Sequence, residues 1–284
     1  MRYDVWLPVS RSYIIYRIAY FFFMLSKNQI KYIQSLHQKK YRQQHGAFLV
    51  EGAKSVQEVL QSTFQINLLV ATEAFYKENA HLTDRQRIPV EIASPAELER
   101  IGTLESNNAA LAVVSAMENR PLLADPGEMA LILDDIRDPG NLGTILRIAD
   151  WYGVRKILCS DTTADVYNSK VISASKGSFT RVNWWYGDVG RFLAETTSKS
   201  ECLIYGAFLD GENVHRLSFG GKRSLPGYLV MGNESNGISA AVGQYVSQKI
   251  TIPRFGGAES LNVGIATAVI LDNWRRSMTL PPTP

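Results

Sequence analysis

The stretch Ser260-Leu261-Asn262-Val263-Gly264-Ile265-Ala266-Thr267-Ala268-Val269-Ile270 puts polar side chains where an apolar helix begins. Just upstream, Ile252-Pro253-Arg254-Phe255-Gly256-Gly257 reads as the end of an apolar strand running into a flexible turn. The four unpaired N–H groups of a helix start make that position a natural place for binding or reaction. Strand, glycine turn and polar helix start is how open α/β sheets build ligand crevices at the carboxyl ends of their strands. By itself such a segment is more often an ordinary strand-to-helix connection, so its meaning depends on whether other segments join it.

A second segment of the same kind is 134–147, Asp-Asp-Ile-Arg-Asp-Pro-Gly-Asn-Leu-Gly-Thr-Ile-Leu-Arg. An apolar strand ends in acids, a Pro-Gly turn follows, and a helix opens near Asn141 with Ile145, Ile148, Ala149 and Tyr152 on its buried face. Asn141 taken singly reads as a helix cap. The apolar neighbours of Arg147 point to a partly buried guanidinium, which needs an anionic partner such as a phosphate or a nascent alkoxide. The third segment is 229–238, Leu-Val-Met-Gly-Asn-Glu-Ser-Asn-Gly-Ile, where a strand again breaks into a glycine loop carrying one acid, Glu234. It is neither a P-loop nor Gly-x-Gly-x-x-Gly, which argues against nucleotide hydrolysis and an ordinary dinucleotide site. Its backbone groups suit a polar, adenosine-like ligand.

Around these segments the periodicity alternates strand and helix. Strands are expected at 48–50, 67–71, 90–92 and 111–115, with helices at 53–61 and from Ser94, where Ser94, Pro95 and Glu97 form a capping box. A polar loop is expected after residue 71. Residues 27–45 carry five Lys/Arg and no acid, with Ile30, Ile33 and Leu36 at helical spacing, so they read as one basic amphipathic helix. Beyond a loop-forming stretch at 118–128, strands are expected at 130–134, 156–159, 180–184, 202–208, 228–231 and 249–252. Helices are expected at 144–152, 166–175, 189–197 and from 261 to about 278. Apolar strands separated by helices predict an α/β fold whose mostly parallel sheet is covered on both faces.

With 284 residues, of which 45% are hydrophobic, the chain has material for two cores of ordinary domain size. A net charge of +3 excludes a uniformly cationic surface, so any nucleic-acid contact is regional. Cys159 and Cys202 both fall in strand-like runs, and the four histidines are scattered, so neither a disulfide framework nor a structural metal is expected. A reducing cytoplasm fits. The apolar run at 13–25 is interrupted by Arg17 and is too short to span a membrane. It reads as an extension over 1–25, with translation starting at Met24 as the simplest account and a signal peptide as the lesser one.

Taken together the three segments identify a resemblance. The chain resembles the SpoU (TrmH-like) RNA 2′-O-ribose methyltransferases of the SPOUT superfamily through Asn141-x-Gly143-x-x-x-Arg147, Gly232-Asn233-Glu234-x-x-Gly237 and Ile252-Pro253 with Ser260-Leu261-Asn262-Val263. Phe48-Leu49-Val50-Glu51-Gly52 is similar to the early signature of an L30-like substrate-binding domain. The resemblance implies an L30-like RNA-binding domain over 26–117, a linker over 118–128 and a methyltransferase domain over 129–284 with a trefoil knot. It implies a homodimer that uses S-adenosyl-L-methionine, held around Leu209, Gly232, Ile252 and Leu261. Arg147 aligns with the catalytic arginine, and Asn141, Glu234, Ser260 and Asn262 with the residues that shape its site. No membrane is involved. The two-domain layout favours ribosomal RNA as substrate, on family analogy alone; a transfer-RNA enzyme and a catalytically inactive RNA-binding relative are the alternatives. Gly264 where the family commonly has serine, and Arg254-Phe255 after the proline, depart from the pattern beside the site. Asn107-Asn108-Ala109 departs from it in the N-terminal domain.

Overall fold

The structure is a computed structural model that describes residues 25–217, 219 and 225–278. Apart from Leu25, the apolar run at 13–25 and the start at Met24 lie outside the described residues. The chain divides into two compact units between Ser115 and Ala116.

In the first unit α1 (Lys27–Ser35) and α2 (Lys39–His45) precede β1 (Ala47–Glu51), α3 (Ala53–Leu60), β2 (Ile66–Ala71), α4 (Glu73–Gln86), β3 (Val90–Ile92), α5 (Pro95–Ile101) and β4 (Ala110–Ser115). The sheet order is β1-β4-β2-β3, antiparallel except for the β2–β3 pair. The capping box at Ser94 and Glu97 forms as read, with Pro95 in the first turn.

Two expectations are corrected in this unit. The basic stretch 27–45 is two helices, because the chain turns after Leu36 and the buried Arg42 guanidinium donates to the carbonyls of Leu36 and His37 at 3.0 and 2.8 Å. These bonds satisfy carbonyls that the end of α1 leaves open. The polar loop after residue 71 is a helix of 14 residues, α4. Its buried positions, Phe75, Asn79 and Thr83, hold helical spacing but only one is apolar. Asn79 offsets its burial by donating to the Phe75 carbonyl at 2.8 Å.

The second unit contains β5 (Met129–Asp134), α6 (Pro139–Trp151), β6 (Lys156–Ser160), α7 (Ser169–Ser175), β7 (Asn183–Gly187), α8 (Val189–Lys199), β8 (Leu203–Asn213), β9 (Gly227–Gly232), α9 (Ala240–Gly243), β10 (Gln248–Thr251) and α10 (Val263–Ser277). Six parallel strands form one sheet in the order β10-β8-β9-β5-β6-β7. Every residue of β5 is buried, as a strand covered on both faces requires. The strand expected at 180–184 is shifted to 183–187, since Ser178–Thr180 forms a 3-10 turn on the end of α7.

Residues 117–128 are tied along the second unit. Met117 N–H donates to the Tyr167 hydroxyl at 2.7 Å, and the Asn119 amide exchanges two 2.8 Å bonds with the Tyr186 backbone. Ala124 N–H reaches the Tyr228 hydroxyl at 3.0 Å.

Strand order locates the crevice. From β5 the chain moves outward to β6 and β7, whereas from β9, the neighbour of β5, it moves to β10 on the opposite edge. The carboxyl ends of β5 and β9 are therefore a topological switch point, where diverging loops leave room for a ligand. Asp134 and Gly232, the last residues of the two strands, lie in register. After β10 the chain returns so that α10 packs on α6 and β9.

Candidate active site

The helix after β5 begins with a cap that the Asp-Pro pair announces. Asp138 accepts from Asn141 N–H at 2.7 Å and Pro139 occupies the first turn. Asn141 is thus not the cap, as it reads singly, and its side chain is free for other work. Its amide nitrogen donates to Glu234 Oε1 at 2.5 Å, and its amide oxygen accepts from Asn262 Nδ2 at 2.8 Å. Asn262 is itself the cap of α10, its Oδ1 accepting from the N–H groups of Gly264 and Ile265. One polar chain, Glu234 to Asn141 to Asn262, therefore joins all three segments at the switch point.

The loop that carries Glu234 is fixed from both sides. Asn233 and Gly237 exchange backbone hydrogen bonds at 3.0 and 2.8 Å, and the Asn233 Oδ1 accepts from Ser235 and Asn236 N–H. Asn233 Nδ2 donates to the carbonyl of Asp135 at 2.8 Å. Asp135 presents that carbonyl from a left-handed conformation, φ 63°, which is costly for a residue other than glycine. Its N–H is held by Ser160 Oγ at 2.9 Å. The buried Asp134 carboxylate accepts from Ser239 N–H at 2.7 Å, anchoring the far end of the loop. In the sequence Asn233 stands only as part of the Gly232–Gly237 motif, Asp134 only as an acid ending its strand, and Asp138 has no role assigned. The local signal for Asp138 is the proline that follows it.

Glycine is required at position 232. A Cβ there would run into the backbone of Gly237 and Ile238, so the end of β9 lies bare against the returning loop. Gly143 is needed for a different closeness, because a Cβ would meet the Ala174 Cβ at 2.5 Å and the Val171 carbonyl at 2.7 Å where α6 crosses α7.

Leu209 lies within β8 and not after it, because the strand continues to Asn213 after its register against β10 shifts between Lys249 and Ile250. The Leu209 carbonyl accepts from Thr251 Oγ1 at 3.2 Å, which brings it beside the strand end that leads to Ile252. Its side chain is 82% exposed, and Leu261 is half exposed. Exposed leucines at the carboxyl edge of a parallel sheet suit a ligand with a flat apolar ring, as an adenosine group has.

Two residues stand apart. Arg147 is exposed, contrary to the partly buried guanidinium expected, and makes no hydrogen bond or ion pair among the described residues. Ile145 and Ala149, both buried, lie about 200° from position 147 around the axis, but the buried Gly143 one turn earlier lies about 40° from it, so helical phase alone does not set the exposure of Arg147. Relative to Asn141 it is turned by about 120° and lies about 9 Å further along α6. Ser260 is exposed, with no hydrogen bond among the described residues.

Both parts of the chain are similar to known proteins. Residues 128–272 match the model of the SpoU rRNA Methylase family, and residues 27–112 match that of the MRM3-like substrate binding domain. The chain is 27% identical to the 23S rRNA (guanosine(2553)-2'-O)-methyltransferase RlmP of Bacillus subtilis, over 88% of this chain and 97% of that protein. It is similar to the structure of a TrmH-family protein of Porphyromonas gingivalis, with a TM-score of 0.79 and 35% identity over 89% of this chain and 99% of the other. It is also similar to an AdoMet-bound rRNA methyltransferase of Sinorhizobium meliloti, with a TM-score of 0.80 and 26% identity over 91% and 97% of the two chains.

Proposed function

The chain belongs to the SpoU rRNA Methylase family, and we propose that it transfers a methyl group from S-adenosyl-L-methionine to a ribose 2′-hydroxyl of ribosomal RNA. The observation that carries this reading is the hydrogen-bonded chain Glu234–Asn141–Asn262 at the switch point of the sheet. RlmP of Bacillus subtilis, which spans nearly the same length, bears the name of a 23S rRNA 2′-O-methyltransferase. That favours ribosomal over transfer RNA.

The cofactor supplies an electrophilic methyl on a positive sulfur. Gly232, Ile252 and Leu261, with Leu209 beside them, hold it in this reading, and the protein's task is to align a ribose oxygen with that methyl. Alignment is worth several kcal/mol of barrier, on the order of 7 or more in well-oriented cases. A guanidinium does not serve as a base, so Arg147 stabilises the developing alkoxide or clamps the adjacent phosphate. Asn262 Oδ1 is used in capping α10, and an amide oxygen is too weak a base to take the proton. The proton route then runs through Ser260 or water.

The active form in this reading is a homodimer of knotted methyltransferase domains, each joined to an L30-like domain that binds RNA, working in the cytoplasm. Trp151 is 83% exposed one turn beyond Arg147 on α6, and Ile265 is half exposed on α10, which packs against α6. Exposed apolar residues of this kind on two packed helices are what a symmetric interface would cover.

Mapping of 2′-O-methyl marks in RNA from a strain lacking the gene tests the assignment. Loss of one ribosomal mark, restored by the purified enzyme with labelled S-adenosyl-L-methionine, is the expected result. Loss of a transfer-RNA mark alone would overturn the choice of substrate, and loss of none would favour an RNA-binding protein without activity.

A further inference from the structure

Phe255 stands almost bare in solvent, 95% exposed, on the loop between β10 and the Asn262 cap of α10. A phenyl ring held in water contributes nothing to the fold, and its neighbours keep it bare. Gly256 and Gly257 follow it, and a Cβ added at either would find no atom within 4 Å, at φ angles open to other residues. Neither packing nor backbone geometry demands glycine there. Their effect is clearance, since neither carries a side chain beside the ring and no described atom approaches their Cβ positions.

Arg254 precedes the ring, exposed, and spans the loop with one Nη1 bond to the Ala258 carbonyl at 3.3 Å. No acid pairs with it among the described residues, Glu259 of the same loop included. Its other donors are available to a phosphate. The loop runs on into Ser260 and Asn262, and Asn262 holds Asn141. A bare planar ring next to an unpaired arginine, tethered a few residues from the polar chain of the site, matches an unstacked nucleobase and its phosphate. Single-stranded RNA is gripped through such stacking on aromatic rings and arginine. A protein partner would instead need a continuous apolar area, and this loop offers one ring between an arginine and two glycines.

We propose that Phe255 and Arg254 form a nucleobase subsite, in which the phenyl ring stacks on a base of the substrate RNA close to the reacting ribose and Arg254 meets the adjoining phosphate. The proposal rests on the RNA methyltransferase reading given above.

The test uses the full-length protein and total RNA from a strain lacking the gene, which contains the unmodified target whichever RNA that is. Transfer of labelled methyl is followed in the ribosomal and transfer-RNA fractions. For F255L and F255A the KM for RNA should rise about tenfold or more, and F255W should restore it, because stacking needs a planar ring and not merely an apolar one. R254A should weaken RNA binding and lower the salt slope by about one. S-adenosyl-L-methionine binding by calorimetry should be unchanged in all four. F255L matching the unsubstituted enzyme would overturn the subsite alone. So would a fall in molecular mass by light scattering accompanying the loss, which would make Phe255 a subunit contact. Transfer into transfer RNA would overturn only the ribosomal assignment, and no transfer at all would overturn both readings.

Discussion

Asn262 Nδ2 lies 2.8 Å from Asn141 Oδ1 across 121 residues of sequence, and the same Asn141 side chain donates to Glu234 at 2.5 Å. Each amide is oriented by its other bond, Asn262 through the cap it makes on α10 and Asn141 through the carboxylate. Because the three act as a unit, substitutions should not add. N141A and N262A are each expected to lower kcat about a hundredfold, and the double variant to lose little more than either. Single-turnover methyl transfer at saturating cofactor measures this, and full additivity would show that the two amides act separately.

Arg147 is exposed and has no partner among the described residues, so its removal costs the fold little. R147A is expected to keep its stability within about 0.5 kcal/mol. Methyl transfer with bound cofactor should fall by two orders of magnitude or more. If R147K retains near-normal single-turnover transfer, the alkoxide role is wrong.

At Gly232 a methyl group has nowhere to go, because the backbone of Gly237 and Ile238 already fills the space. G232A should destabilise the second unit by about 1–3 kcal/mol. It should also abolish the rise in melting temperature that S-adenosyl-L-methionine gives the unsubstituted protein. An undiminished ligand-induced shift would remove Gly232 from the cofactor site.

Burial pushes the Cys159 thiol up to about 12, against an opposing pull from the Tyr186 hydroxyl. The folded chain therefore holds this proton more tightly than the unfolded chain, whose thiol titrates near 8.5. The resulting stability is complete below about pH 8.5 and is lost as pH rises through about 12. Cys159 should resist a thiol reagent at pH 8 until denaturant is added. C159A should flatten the alkaline fall in melting temperature, and rapid labelling of the native protein at Cys159 would contradict the burial.

Most of the architecture was legible because it rests on local chemistry. The capping box at Ser94, the apolar strand at 129–134 and the glycine loops after β5 and β9 each announce themselves within a few residues. Helix α4 did not, since its buried face carries Asn79 and Thr83, and a polar residue satisfied by its own helix leaves no apolar period to read. The division of 27–45 into α1 and α2 depends on Arg42 folding back onto the carbonyls of Leu36 and His37, a contact that no spacing rule encodes.

What the sequence determined by itself is the family, the alternation of strands and helices, and which polar residues sit at strand-to-helix junctions. Those follow from side-chain periodicity, capping and glycine placement, all of short range. The tertiary structure alone decided what those residues do to one another. Strand order places Asp134 beside Gly232, giving Asn141 the carboxylate of Glu234 and the amide of Asn262 as partners. It also turned Arg147 to solvent and left Phe255 bare, because burial depends on which elements pack together and not on the residues that flank a position in the chain.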